Sequence, residues 1–136
     1  MFSGKFWRRK QKQESRQPFR RRKSLGVRLA ESEELRRKFP TKLPIVVERY
    51  DREATLPMLA KTKFLLPREF SMRQFAMFVR DRAALNSSQS LFLFINRKVL
   101  VSMTSSLQEV YDMHKDDDGF LYVTYASQEV FGNDSS

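Results

Sequence analysis

Cysteine is absent from the 136 residues, histidine occurs once, at His114, and glycine four times, at Gly4, Gly26, Gly119 and Gly132. Without cysteine there is no disulfide, no thiolate metal site and no cysteine nucleophile; such a chain is compatible with a reducing compartment. A single histidine argues against a histidine-built metal site and against a serine–histidine triad. The glycines are too scattered for G-x-x-x-x-G-K-[ST] or G-x-G-x-x-G, so nothing can form a phosphate-cradling loop. The glycine-and-aromatic strand of an RNA-recognition motif is missing too. No run approaches the roughly 18 apolar residues of a membrane span; Leu91-Phe92-Leu93-Phe94-Ile95 is typical of the longest. The opening residues, Met1 to Trp7, lack the apolar run of a signal peptide, and Phe2 stands where N-myristoylation requires glycine. Any membrane attachment is expected to come from elsewhere. Nothing arranges a nucleophile, a base and an orienting group, so no enzyme is expected.

What the sequence does have is unevenly spread charge. The formal balance is +10, from 26 Lys/Arg and 16 Asp/Glu. Residues 1–43 hold 15 Lys/Arg against 4 Asp/Glu, and residues 44–136 hold 11 against 12. A near-neutral body thus carries a basic front end, attractive to nucleic acid, anionic lipid and acidic protein tails alike. The length fits one domain, and 40% hydrophobic content with 12 phenylalanines supplies a core rich in aromatic rings.

Residues 1–17 are rich in Arg, Lys and Gln and poor in branched aliphatics, the composition of a disordered, solvated arm. Phe2, Phe6 and Trp7 beside Arg8, Arg9 and Lys10 would suit a membrane interface. Arg20, Arg21, Arg22 and Lys23 form a solvated face or a docking patch, followed by Ser24, a candidate phosphosite. Leu25, Leu29, Leu35 and Phe39 give a partial apolar stripe at helical spacing over residues 25–38, closed by Pro40. Gly26 sits early in that helix, where it costs roughly 0.5–1 kcal/mol relative to Ala. Residues 43–50 and 61–66 read as two strands of a hairpin joined by a polar connection at Asp51–Thr55. Residues 71–85 are the clearest helix, with Ser71 and Gln74 placed for a capping box. A strand at 91–96, a short helix at 106–113, a turn at Asp117-Asp118-Gly119 and a strand at 120–125 complete the order.

That order predicts an α+β chain of the ubiquitin-like β-grasp type, although other small α+β folds share it. Asp116, Asp117, Asp118 and Gly119 invite a calcium loop, but the spacing would put His114 at the first ligand position and Tyr125 at the bidentate twelfth. A solvated acidic hairpin is the expected state of that turn. Asp81 splits Arg80 from Arg82 and makes a poor phosphate track.

Several stretches in order resemble the microtubule-associated protein light chain 3 family of autophagy modifiers. They are Pro40-Thr-Lys-Leu-Pro-Ile-Val-Val-Glu-Arg-Tyr50, Lys61-Thr-Lys-Phe-Leu-Leu-Pro67, Asp117-Asp-Gly-Phe-Leu-Tyr122 and Tyr125-Ala-Ser-Gln-Glu-Val-Phe-Gly132. Pro18-Phe-Arg-Arg-Arg-Lys-Ser-Leu25, Lys38-Phe-Pro40 and Leu100-Val-Ser-Met103 are most similar to its C-type (gamma) branch. The likeness spans about residues 18 to 132; the first 17 residues match nothing recognisable.

The resemblance implies a mixed four-stranded sheet with a crossing helix, preceded by two N-terminal helices. The parts would be an arm at 1–17, a helical subdomain at 18–39, a ubiquitin-like core at 40–127 and a flexible tail at 128–136. It implies that a cysteine protease cuts between Gly132 and Asn133, after Phe131-Gly132. Ubiquitin-like activating and conjugating enzymes would then join Gly132 to phosphatidylethanolamine, with no other cofactor and no metal. A carbonyl entering narrow enzyme clefts is best presented by a residue without a side chain.

Peptide capture is the second implication. A motif with an aromatic and an aliphatic residue, separated by two others, would add a strand along Lys63-Phe64-Leu65. Its aromatic pocket would be Glu31, Leu35, Pro44, Val46, Lys63, Leu65 and Phe120, and its aliphatic pocket Phe64, Leu66, Pro67, Phe75, Phe78 and Val79. Lys61 and Arg82 would meet acidic residues flanking the motif. From the residues alone, Leu35, Val46, Phe75 and Phe78 are plain core; only the resemblance makes them pocket. The implied setting is a monomer in the cytoplasm, lipidated on autophagosome membranes, binding autophagy receptors and also tubulin. Nucleic acid is not an expected partner.

Overall fold

The computed structural model describes residues 18–95, 98–99 and 102–128. The arm at 1–17 and the cleavage site around Gly132 lie outside the described residues. After Pro18, one helical turn, α1 (Phe19–Arg22), precedes α2 (Leu25–Lys38). Ser24 ends the extended link between them and caps α2 by accepting the Val27 N–H at 3.3 Å. Strands β1 (Lys42–Arg49) and β2 (Lys63–Pro67) follow, then α3 (Met72–Arg82), β3 (Phe92–Ile95), β4 (Lys98–Val99), α4 (Leu107–His114) and β5 (Leu121–Ala126).

The sheet order is β2-β1-β5-β3-β4. β1 and β5 run parallel at its centre, with β2 antiparallel to β1 and β3 antiparallel to β5. The four expected strands are all present, and the two-residue β4 is an addition, paired with β3 through Phe94 and Ile95. A strand that short carries too little pattern to be read from sequence.

Period-two alternation divides each strand between two faces. Ile45 and Val47, Phe64 and Leu66, and Leu121, Val123 and Tyr125 face the main core with Met72, Phe75 and Val79 of α3 and Val110 and Tyr111 of α4. On the other face, Val46 and Phe120 close around Phe19 of α1, with Leu35 and Tyr122 packed alongside. The capping box of α3 forms as its sequence predicts: Gln74 N–H donates to Ser71 Oγ at 3.1 Å, and Ser71 N–H to Gln74 Oε1 at 2.8 Å. The helix stops short of the expected Leu85, because Ala84 has turned to φ 54°.

Two expectations are overturned. The helix at 25–38 has the predicted bounds but not the predicted inner face. Leu25, Leu29 and Phe39 are exposed, whereas Arg28 and Ser32 are buried. The acidic turn is likewise only partly solvated: Asp117 is exposed and Asp116 half-buried, but Asp118 is not. Asp118 is 0% exposed, accepting from Arg28 Nη1 at 2.5 Å, from Phe120 N–H at 2.8 Å and from the Tyr122 hydroxyl. Ser32 Oγ donates to its carbonyl. Gly119 follows at φ 88°, and a Cβ there would strike Ser32 Oγ. A buried carboxylate needs charged and polar partners, so α2 docks by Arg28 and Ser32 and turns Leu25 and Leu29 outward, while Leu35 packs beside Phe19.

Candidate peptide-docking edge and tail root

β2 is an edge strand, and its register determines which backbone groups face out. Pro44 of β1, opposite Leu65, has no N–H. The Val47 N–H donates to Thr62 C=O at 2.8 Å. Hydrogen-bonded pairs alternate from there, so Ile45 pairs with Phe64 and Leu43 with Leu66. The N–H and C=O groups of Lys63 and Leu65 therefore point along the open side of the sheet, available to an added strand.

The side chains of β2 divide as their alternation predicts. Lys63 and Leu65 share the face of α1 and α2; Phe64 and Leu66 share the face of α3. Of the expected aromatic-pocket set, Pro44, Val46 and Phe120 are buried at the floor, and Glu31, Leu35, Lys63 and Leu65 are half-buried around them. Of the aliphatic set, Phe64, Leu66, Phe75 and Val79 are buried, and Pro67 and Phe78 are half-buried at the surface. Phe78 meets Phe64 edge-on with centroids 5.2 Å apart.

Cations rim both halves. Lys61 Nζ and the Arg82 guanidinium lie 5.5 and 5.8 Å from the Phe64 ring centroid, with Arg82 also 5.2 Å from that of Phe78. On the aromatic side Glu31 pairs with Lys63 and, at 3.0 Å, with Lys23. Burial, with Lys23 and Arg22 nearby, lowers the pKa of Lys63. The basic run is partly neutralised in place. Arg20 pairs with Asp116 at 2.8 Å and stacks 4.2 Å from the Tyr122 centroid. Arg22 donates to Thr62 Oγ1 at 3.4 Å, and Arg21 is exposed.

Two residues that sequence reasoning missed shape these sites. Phe19 stacks edge-on against Phe120 at 5.1 Å and forms the back of the aromatic-side cluster. As the lone aromatic of a basic run it was visible, but its partner lies far along the chain. Glu53, inside the polar connection, is only 3% exposed. Its carboxylate accepts from Ser127 N–H at 2.6 Å and from Ser127 Oγ at 2.8 Å, where the chain leaves β5. Gly132, Phe131 and Asn133 follow outside the described residues. No helix of the described residues is long and apolar enough to cross a membrane.

Comparison with known proteins accords with this geometry. Residues 27–132 match the family model described as autophagy protein Atg8, ubiquitin like. The chain is 52% identical over 122 residues to microtubule-associated protein 1 light chain 3 gamma of Homo sapiens, covering 90% of this chain and 83% of that protein. It is 40% identical over 114 residues to autophagy-related protein 8i of Arabidopsis thaliana, covering 84% of this chain and 97% of the other. The crystal structure of Trypanosoma brucei ATG8 superposes with a TM-score of 0.76 at 28% identity, covering 82% of this chain and 95% of that one. The chain belongs to the Atg8 family of ubiquitin-like autophagy proteins.

Proposed function

We propose that this ubiquitin-like modifier is cut after Gly132, conjugated there to phosphatidylethanolamine on autophagosomal membranes, and used to recruit receptors carrying aromatic-x-x-aliphatic motifs. The observation that carries the receptor half is the open edge of β2, with pocket candidates on both of its faces. Residues three apart in a strand point to opposite faces and stand about 10 Å apart. A peptide strand on this edge therefore delivers its aromatic side chain toward Leu35 and Leu65 and its aliphatic one toward Phe64 and Phe78.

The conjugation half is supported by the family match, which extends to residue 132. In this account the chain is the substrate of a processing cysteine protease and of activating and conjugating enzymes, and catalyses nothing itself. Its parts are the arm at 1–17, the helical subdomain at 18–39, the core at 40–127 and the tail at 128–136. It works as a monomer, in the cytoplasm until lipid conjugation holds it on the membrane.

Tubulin binding through residues 1–38 is a second reading, favoured by the charge concentrated at the front of the chain. Gly132→Ala separates the two. Membrane puncta should vanish while binding to tubulin and to motif peptides stays at the parent level. Stoichiometric membrane attachment of that variant would sink the lipid-conjugation account.

A further inference from the structure

Among the described residues, the sheet does not hold the chain beyond Ala126. The β5 ladder ends there, opposite Phe92, yet the next two residues are still tied down. Glu53 grips Ser127 through its N–H and its hydroxyl. The other oxygen of the same carboxylate accepts the Thr55 and Leu56 N–H groups at 2.9 and 2.8 Å, which locks the β1–β2 connection in place. The Gln128 N–H then donates to Ser90 Oγ at 3.0 Å. Glu53 and Ser127 are 3% and 5% exposed, so this is an interior tie. The fold does not need it to pair β5, which β1 and β3 already flank.

We propose that Glu53 is a positioning residue for the chemistry at Gly132, fixing the point at which the tail leaves the core. The inference rests on the reading that the tail is cut and conjugated at Gly132. Gly132 stands five residues beyond Ser127, a reach of at most about 18 Å. An enzyme that holds the core meets Gly132 at an effective concentration set by the length of chain between the last tie and Gly132. That concentration falls roughly as the −3/2 power of tether length. Gly132 is four residues from Gln128 and six from Ala126, so releasing Ser127, and with it Gln128, lowers the effective concentration about twofold.

The test is steady-state cleavage of the full chain by the family's processing protease, with kcat and KM separated. Thermal midpoint and motif-peptide affinity serve as controls for the fold. Glu53→Ala should lower kcat/KM about twofold with peptide affinity unchanged. Glu53→Gln, which keeps one acceptor oxygen, should recover part of the loss. The deciding comparison inserts about twelve Gly/Ser residues after Gln128. In that already loosened chain Glu53→Ala should change kcat/KM by no more than about 1.2-fold.

Equal kcat/KM for Glu53→Ala and the parent would overturn the inference and leave processing at Gly132 standing. Effects that multiply in the insertion background would overturn it too, because they mark a purely structural role. A parent chain that is not cut at Gly132 would remove the tail-processing reading, and this inference with it.

Discussion

Arg28 and Asp118, 90 positions apart in the chain, form a buried ion pair, Nη1 to Oδ2 at 2.5 Å, with side chains 10% and 0% exposed. Burial disfavours the Arg28 charge, but hydrogen bonds to Tyr122 and Asp118 outweigh it and raise its pKa. The pair fastens the helical subdomain to the sheet. Through that link α2 presents Glu31 and Leu35 to the aromatic side of the proposed docking edge.

Removing one partner leaves the other charge buried and uncompensated. Arg28→Met should destabilise the fold by about 3–5 kcal/mol, read as a lower midpoint in urea. It should also weaken motif-peptide binding, because the aromatic side loses its outer wall. A small change in midpoint would mean that solvent reaches Asp118 readily. Gly119→Ala attacks the same joint from the backbone, through its positive φ and the collision with Ser32, and should cost about 1–3 kcal/mol.

Spacing in the peptide is a second test. Shortening an aromatic-x-x-aliphatic peptide by one residue puts both side chains on the same face of the added strand. Affinity should drop more than about tenfold, the loss of at least one anchor, when measured by fluorescence anisotropy. Equal binding of the two peptides would contradict strand addition at β2.

Charge reversal at the rim gives a third. Lys61→Glu with Arg82→Glu should weaken peptides with acidic flanks about two- to tenfold at low salt and much less at high salt. Neutral-flank peptides should change little. A loss that ignores both flank charge and salt would assign these residues a packing role over Phe64.

Glu53 makes stability depend on acid. Burial opposes its charge, yet hydrogen bonds from Ser127, Leu56 and Thr55 prevail and hold its pKa below the usual carboxylate value. Its stabilisation is therefore complete above the unfolded value, about 4.3, and is lost as pH falls through the folded value. The thermal midpoint of Glu53→Gln should lie below that of the parent at neutral pH, with the gap closing in acid. Glu48 has the opposite sign. Burial raises its pKa despite the Phe19 N–H bond. Its contribution is present below the unfolded value and is lost as pH rises through the folded one, so Glu48→Gln should gain on the parent as pH rises. A gap for Glu53→Gln that is constant with pH would show that its carboxylate contributes no linkage.

Gly26→Ala probes the one weak residue of α2. A Cβ at Gly26 meets nothing within 4 Å, so the substitution should stabilise by up to about 1 kcal/mol. Differential scanning calorimetry would show the rise in midpoint.

Local signals were the legible ones. Ser71 and Gln74 announced the start of α3, and a β-branched run announced β1, because caps and strand composition are written within a few residues. The face of α2 was not legible. Leu25 and Leu29 satisfy a helical stripe, and only a buried carboxylate 90 positions from Arg28 reverses it. Glu53 looked like a loop residue for the same reason, since its main partner, Ser127, is 74 positions away. Of the candidate site, the division of Lys63 and Leu65 from Phe64 and Leu66 could be read from alternation, and the open edge only from the family resemblance. Its pocket residues could not be told from core without the family resemblance, and most of them are buried here.

Conjugation at Gly132 is the central claim, and intact mass tests it most directly. The chain would be incubated with the processing protease, the activating and conjugating enzymes, ATP and phosphatidylethanolamine liposomes. The account predicts loss of residues 133–136 followed by gain of one lipid mass, with both steps absent in Gly132→Ala. An unchanged mass, while a control family member is converted in parallel, would contradict it.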